Sequence, residues 1–88
     1  MPEVDKKMLI VLGYGWVICG YVVEQVGPFA FTVRDASVIC STGGTPWDAL
    51  AEGEGRDRAT FRYWGDVRVG PLFVMSREWK GELPGKNE

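Results

Sequence analysis

The sequence predicts a mainly β protein: a small antiparallel meander that closes into a barrel or roll of SH3-like or OB-like size, with one short helix. Three observations carry that prediction. Short apolar stretches recur between glycine- and proline-containing turn signals at roughly eight-to-twelve-residue spacing, the pattern of an all-β chain. One stretch, Trp16 to Glu24, is apolar on both faces, as a strand inside a closed or covered sheet must be. A single segment, Thr45 to Gly53, combines helical apolar spacing with signals that start and stop a helix. The 88 residues allow one domain, long enough to bury roughly 60–65% of its unfolded surface. That domain is expected over residues 8–79, between a frayed N-terminus (1–7) and a disordered tail (80–88).

Met8 to Leu12 reads as the first strand, ended by Gly13-Tyr14-Gly15. In the second, Trp16, Ile18 and Val22 share one face, and Val17, Cys19, Tyr21 and Val23 the other. Gly20 in mid-strand marks a sharp bend or a close backbone approach. After a turn over Gln25 to Pro28, the stretch Phe29 to Arg34 alternates, with Phe29, Phe31 and Val33 on one face. Asp35-Ala36 breaks it, and Ser37 to Cys40 forms a further short strand. In the helix, Thr45 suits the N-cap, Pro46 the first helical position and Asp48 the capping box. Trp47, Leu50 and Ala51 share its apolar side, and Gly53 ends it. One to two turns cannot stand alone, so this helix must pack on the sheet. Arg58 to Tyr63 and Val67 to Val69 are expected to form a hairpin about Trp64-Gly65-Asp66. Leu72 to Ser76, after Gly70-Pro71, is the last strand.

Composition argues against most chemistry. Histidine is absent, which removes the commonest general base, pH switch and transition-metal ligand. Cys19 and Cys40 lie in apolar runs without metal-ligand spacing. They read as reduced, buried thiols, the alternative being one disulfide, which needs Cα atoms within about 7 Å. The acidic cluster Glu52, Glu54 and Asp57 lacks the order of a calcium loop and contains Arg56. Neither a metal nor a cofactor is expected. Gly13, Gly15 and Gly20 do not make a dinucleotide fingerprint, because the third glycine is misplaced and a strand follows. Ser41-Thr42-Gly43-Gly44-Thr45 precedes the helix but has no lysine to complete a phosphate loop. Ser37, Ser41 and Ser76 have no histidine to activate them, and the lysines lie in the end segments. The chain is therefore not expected to be an enzyme. Lys6-Lys7 precedes an apolar stretch too short for a bilayer and without a cleavage site, so a cytoplasmic protein with no membrane partner is expected.

The order of punctuation resembles small uncharacterised proteins encoded by bacteriophages and other mobile elements. The matching stretches are Gly15-Trp16-Val17 with Gly20, then Asp35-Ala36-Ser37-Val38-Ile39, Gly43-Gly44, Leu50-Ala51-Glu52-Gly53, and Val67-Arg68-Val69 before Pro71. They span about residues 9 to 75. The resemblance implies a compact β domain of mobile-element origin and carries no activity with it.

What is left is a surface. Trp16 and Trp47, on apolar faces, are expected in the core. Trp64 at the hairpin tip and Trp79 beside the charged tail are the ones that can be exposed and serve as binding anchors, although packing onto a neighbouring strand is the commoner fate of such a residue. The hairpin register pairs Phe61 with Val69 and Tyr63 with Val67, and sets Arg62 opposite Arg68 with Arg58 further along. Facing arginines need either a neighbouring acid such as Asp57 or Glu78, or an acidic partner. The expected function is a non-enzymatic binding or assembly module that presents its β surface to a protein partner or to its own copies. Arg58, Arg62, Trp64 and Arg68 are the candidate partner or anion patch. Trp16, Ile18 and Val22 are the candidate self-association face of a homodimer, because one short helix cannot cover a whole sheet. The alternative is a nucleic-acid-binding small barrel using the same Arg/Trp stripe, against which a net charge of −2 weighs.

Overall fold

The computed structural model describes residues 4–13, 15–27, 30–70 and 73–84. The chain runs β1 (Lys6–Leu12), β2 (Val17–Val26), β3 (Ala30–Ser41), α1 (Trp47–Glu52), a 3-10 turn (Arg56–Arg58), β4 (Thr60–Val69) and β5 (Phe73–Glu78). These strands form one five-stranded sheet in the order β4-β3-β2-β1-β5, with every pairing antiparallel. The first four make a meander, and β5 returns to the free edge of β1. The small, mainly β class with one short helix is therefore the observed one, but the sheet does not close into a barrel, since β4 and β5 remain its two edges. The expected turn at Pro28, the start of the third strand at Phe29, Tyr14, and Pro71-Leu72 lie outside the described residues.

Two expected breaks turn out to be bulges. The segments around Phe31 and Val38 form a single twelve-residue strand, β3, whose pairing with both neighbours shifts around Asp35. Asp35 takes a φ of 55°, and its flank changes face: Phe31 and Val33 point into the same cluster as Ala36 and Val38. Likewise, no hairpin forms at Gly65. Thr60 to Val69 is one continuous edge strand, with Phe61 opposite Ile39, Tyr63 opposite Ser37, Val67 opposite Val33 and Val69 opposite Phe31. Gly65, opposite Ala36, takes a φ of 88°, a conformation that glycine reaches without steric cost. A polar staple holds the bulge: the Tyr63 hydroxyl donates to Asp35 Oδ1 (2.9 Å), and the Asp35 amide donates to Asp66 Oδ1 (3.4 Å).

The two apolar faces of β2 are each satisfied within the chain. On one side, Met8, Ile10, Ile18, Val22, Phe31, Val33, Ala36, Val38 and Val69 form a buried cluster contributed by strands alone. A sheet can bury one face without a covering helix only by coiling over it, and Gly20 permits the coil. A Cβ there would stand 2.5 Å from Val33 Cγ1 and 3.0 Å from Ala36 Cα. On the other side, Leu9, Val17, Cys19 and Ile39 pack against Leu50 and Ala51 of α1 and against Trp79. The helix lies where its apolar spacing requires, and Gly53 ends it in the left-handed region. Its N-cap is Pro46 rather than Thr45, and no side chain caps it.

Trp79 packs, the commoner of the two fates open to it: it is 1% exposed. Its indole Nε1 donates to the Glu82 carbonyl (2.9 Å), and Phe61 meets its ring edge-on. Arg56 lies over its other contact surface at 3.8 Å and donates to the carbonyls of Leu50 and Ala51 (both 2.9 Å), closing the end of α1. The segment 80–84, expected to be disordered, is tied down beside it. The Lys80 amide donates to Ala51, Lys7 Nζ donates to Gly81, and Leu83 packs on the cluster. Residues 85–88 and 1–3 lie outside the described residues, while Lys6 and Lys7 already belong to β1.

Candidate contact surface

The β1–β2 turn fixes the first half of the site. The Leu12 amide donates to the Trp16 carbonyl (2.8 Å) and the Gly15 amide to the Leu12 carbonyl (3.1 Å), so Trp16 is held at the sheet rim, one residue ahead of β2. It is not core: it is 47% exposed. The bulge in β4 fixes the second half. Trp64, on the edge strand, is 45% exposed and meets Trp16 with ring centroids 5.3 Å apart and planes tilted by 38°. Tilted or offset rings at this distance suit the quadrupoles of both indoles.

This pair forms a ridge with a groove on each side. The larger, of about 490 Å³, is lined by Leu12, Trp16, Ile18, Trp64, Val67 and Arg68 among others. The smaller, of about 400 Å³, is lined by Trp16, Val38, Cys40, Arg62 and Trp64. Each groove thus has aliphatic walls, both indoles and one arginine, and no acidic residue lines either.

Arg62 and Arg68 do not face one another, because both sit on β4, opposite Val38 and Thr32 respectively. Neither is neutralised by Asp57 or Glu78. Among the described residues the side chains of Arg62 and Arg68 make no ion pair or hydrogen bond, whereas on the helix side Arg77 pairs with Asp48 (2.8 Å) and Lys80 with Glu52 (3.5 Å). Arg58 does not join them. It lies in the 3-10 turn, its backbone against Gly43, and lines neither groove.

The expected self-association face is also redrawn. Ile18 and Val22 are wholly buried by the chain's own strands, so they present no surface to a second copy, although Ile18 forms part of the larger groove's floor. Only Trp16 of that trio is exposed, and it belongs with Trp64 and the arginines. Burial explains the first error: the helix does not have to cover the whole sheet when the sheet coils over half of its own core.

The thiols differ sharply. Cys19 is buried in the helix-side cluster, and burial pushes its pKa up to about 12. Cys40, expected to be buried, is exposed and lines the smaller groove on the opposite face. Both are free. Elsewhere the hydrogen bond to Asp35 raises the Tyr63 pKa, and burial lowers that of Arg56. Among the described residues no group of three or more His, Cys, Asp or Glu is placed to hold a metal, and no helix is long and apolar enough to cross a membrane.

Comparison of the chain with protein-family models and with curated proteins finds no match in either.

Proposed function

We propose that the protein is a non-enzymatic binding module whose contact surface is the Trp16–Trp64 ridge with its two flanking grooves. The observation that carries the reading is the pairing of two half-exposed indoles across a 48-residue separation, with an unpaired arginine at each groove. Tryptophan and arginine dominate the energetics of protein interfaces, and a small domain rarely leaves two large aromatic rings in water without a use for them. The partner is another protein or a second copy of the chain. A mobile-element origin, as the sequence resemblance implies, accords with a small accessory module that acts by contact rather than by catalysis.

The runner-up is a single-stranded nucleic acid stacked on the same indoles, with its phosphates on Arg62 and Arg68. Two arginines on a chain of net charge −2 supply little of the electrostatic drive on which such binding depends.

The test compares wild type with the Trp16→Ala/Trp64→Ala variant. Self-association is followed by sedimentation from about 1 to 100 μM. Oligo(dT) binding is measured at about 50 and 200 mM salt. Affinity for peptides is measured by display selection. At least one association is expected in wild type and absent from the variant. If none distinguishes the two proteins, the ridge is not a contact surface.

A further inference from the structure

We infer that the occupant of this surface is an extended, acidic segment of a partner protein, with an apolar side chain seated in the larger groove and carboxylates on Arg62 and Arg68. The inference rests on the reading of the Trp16–Trp64 ridge as a contact surface and adds the chemistry of what it takes.

Charge complementarity decides the sign of the ligand. Both grooves carry a guanidinium and no carboxylate, although the chain as a whole has more acids than bases. Its helix-side cations, Arg77 and Lys80, are matched to Asp48 and Glu52, whereas Arg62 and Arg68 make no ion pair among the described residues, and Asp66, which shares a separate surface depression with Arg68, accepts instead from the Asp35 amide. A guanidinium takes a carboxylate in a fixed two-pronged geometry, so an unpaired one beside an apolar slot selects for an acid next to an apolar residue.

Groove chemistry decides the class. A base-binding platform offers flat aromatic faces. Here the two indoles are tilted against each other, and the larger groove beneath them is walled by Leu12 and Val67 above the buried Ile18. Such a slot matches the branched or aromatic side chain of a peptide better than a nucleobase, which gains most from stacking and leaves its polar edge unpaired against aliphatic walls. A second copy is disfavoured as the occupant by the edge itself. The bulge at Gly65 and the alternation Arg62, Asp66, Arg68 interrupt β4 in the way that natural edges resist self-pairing.

The experiment is selection of a random-peptide display library on the immobilised chain, with Arg62→Glu, Arg68→Glu and Trp64→Ala run in parallel. Arg62 and Arg68 are exposed and make no contact the fold needs, so their variants stay folded, as a melting curve verifies. Wild type is expected to enrich peptides with an apolar residue flanked by Asp or Glu. Affinity for the selected peptide should fall about tenfold or more in each arginine variant, the size expected of one charge-assisted hydrogen bond. Arg62→Glu should enrich basic residues instead. Peptides enriched without acidic bias, or bound equally by Arg62→Glu, overturn the inference while leaving the ridge a contact surface. So does enrichment of nothing accompanied by oligo(dT) binding with a steep salt slope, or by a dimer that Trp64→Ala dissolves. Loss of every association in wild type overturns the underlying reading as well.

Discussion

Trp16 and Trp64 come together only because β4 stays in the sheet through Gly65: the bulge that looks like a turn is what turns Trp64 toward the β1–β2 rim. The contact of 5.3 Å between their rings is therefore a product of two local devices, the closed β1–β2 turn and the kinked edge strand. Each ring is about half in water, so the pair should contribute modestly to the fold. Trp16→Ala and Trp64→Ala are each expected to cost about 1–2 kcal/mol, with a coupling of about 0.5–1.5 kcal/mol in a double-mutant cycle, measured by urea unfolding. A coupling of zero would mean that the rings do not meet in solution.

Trp79 is the opposite kind of tryptophan. Fully buried, bonded to Glu82 and covered by Arg56, it should cost about 3–5 kcal/mol when cut to Ala, a large part of the stability of a chain this size. Arg56→Lys should cost about 1–2 kcal/mol, because an ammonium cannot serve the Leu50 and Ala51 carbonyls together while lying flat on the indole. Thermal melts of both variants check the ranking, and a Trp79→Ala protein as stable as Trp64→Ala would refute it.

The same contacts give the C-terminal segment a structural role. Deleting residues 81–88 removes Leu83 from the helix-side cluster and the Glu82 carbonyl from Trp79. The melting temperature is expected to drop by about 4–8 °C, the shift that about 1 kcal/mol produces in a domain of this size. A shift under about 2 °C would show the segment to be dispensable, as its polar composition suggests on its own.

Gly20 sets the coil of the sheet. Gly20→Ala places a methyl against Val33 and the Ala36 backbone, so destabilisation of about 1–3 kcal/mol is expected in spite of alanine's lower unfolded-state entropy. Chemical denaturation measures it, and a neutral or stabilising result would mean that the two strands are further apart than described.

The thiols offer a test of the burial pattern. At about pH 8 an aromatic disulfide reagent should modify Cys40 at once and Cys19 only on unfolding. Burial raises the Cys19 pKa from 9.0 to about 12, so the folded state holds its proton more tightly than the unfolded one. That contribution is complete below pH 9 and is lost as pH rises toward 12. The stability advantage of wild type over Cys19→Ala should accordingly shrink across that window in denaturation curves at graded pH. Rapid modification of both thiols in the folded protein would contradict the arrangement.

Much of this fold is written in local pattern. The split of β2 into Ile18 and Val22 against Val17 and Cys19, the close approach at Gly20, and the apolar side of α1 all follow from periodicity and from the absence of a side chain at one position. The candidate surface was half legible. Arg62, Trp64 and Arg68 stand out by residue type, but Trp16 continues the parity of Ile18 and so reads as core, when it lies just outside the strand where alternation no longer buries it. Trp-Gly-Asp reads as a turn because a glycine at positive φ is commonest there, and only the partner strand's own break at Asp35 converts it into a bulge. Trp79 was hidden by its charged neighbours, since the partners that bury it, Arg56 and α1, are distant in sequence. At Gly65 and Trp79 what the local pattern lacks is a non-local contact.

The most direct test of the account is a paired measurement on the Trp16→Ala/Trp64→Ala protein: its melting curve and its affinity for the acidic peptide enriched by wild type. The account predicts a folded protein, lowered in melting temperature by the modest cost of two half-exposed rings, whose affinity has fallen by about a hundredfold or more, as truncation of interface hot spots produces. A folded double variant that binds the peptide as tightly as wild type would contradict it.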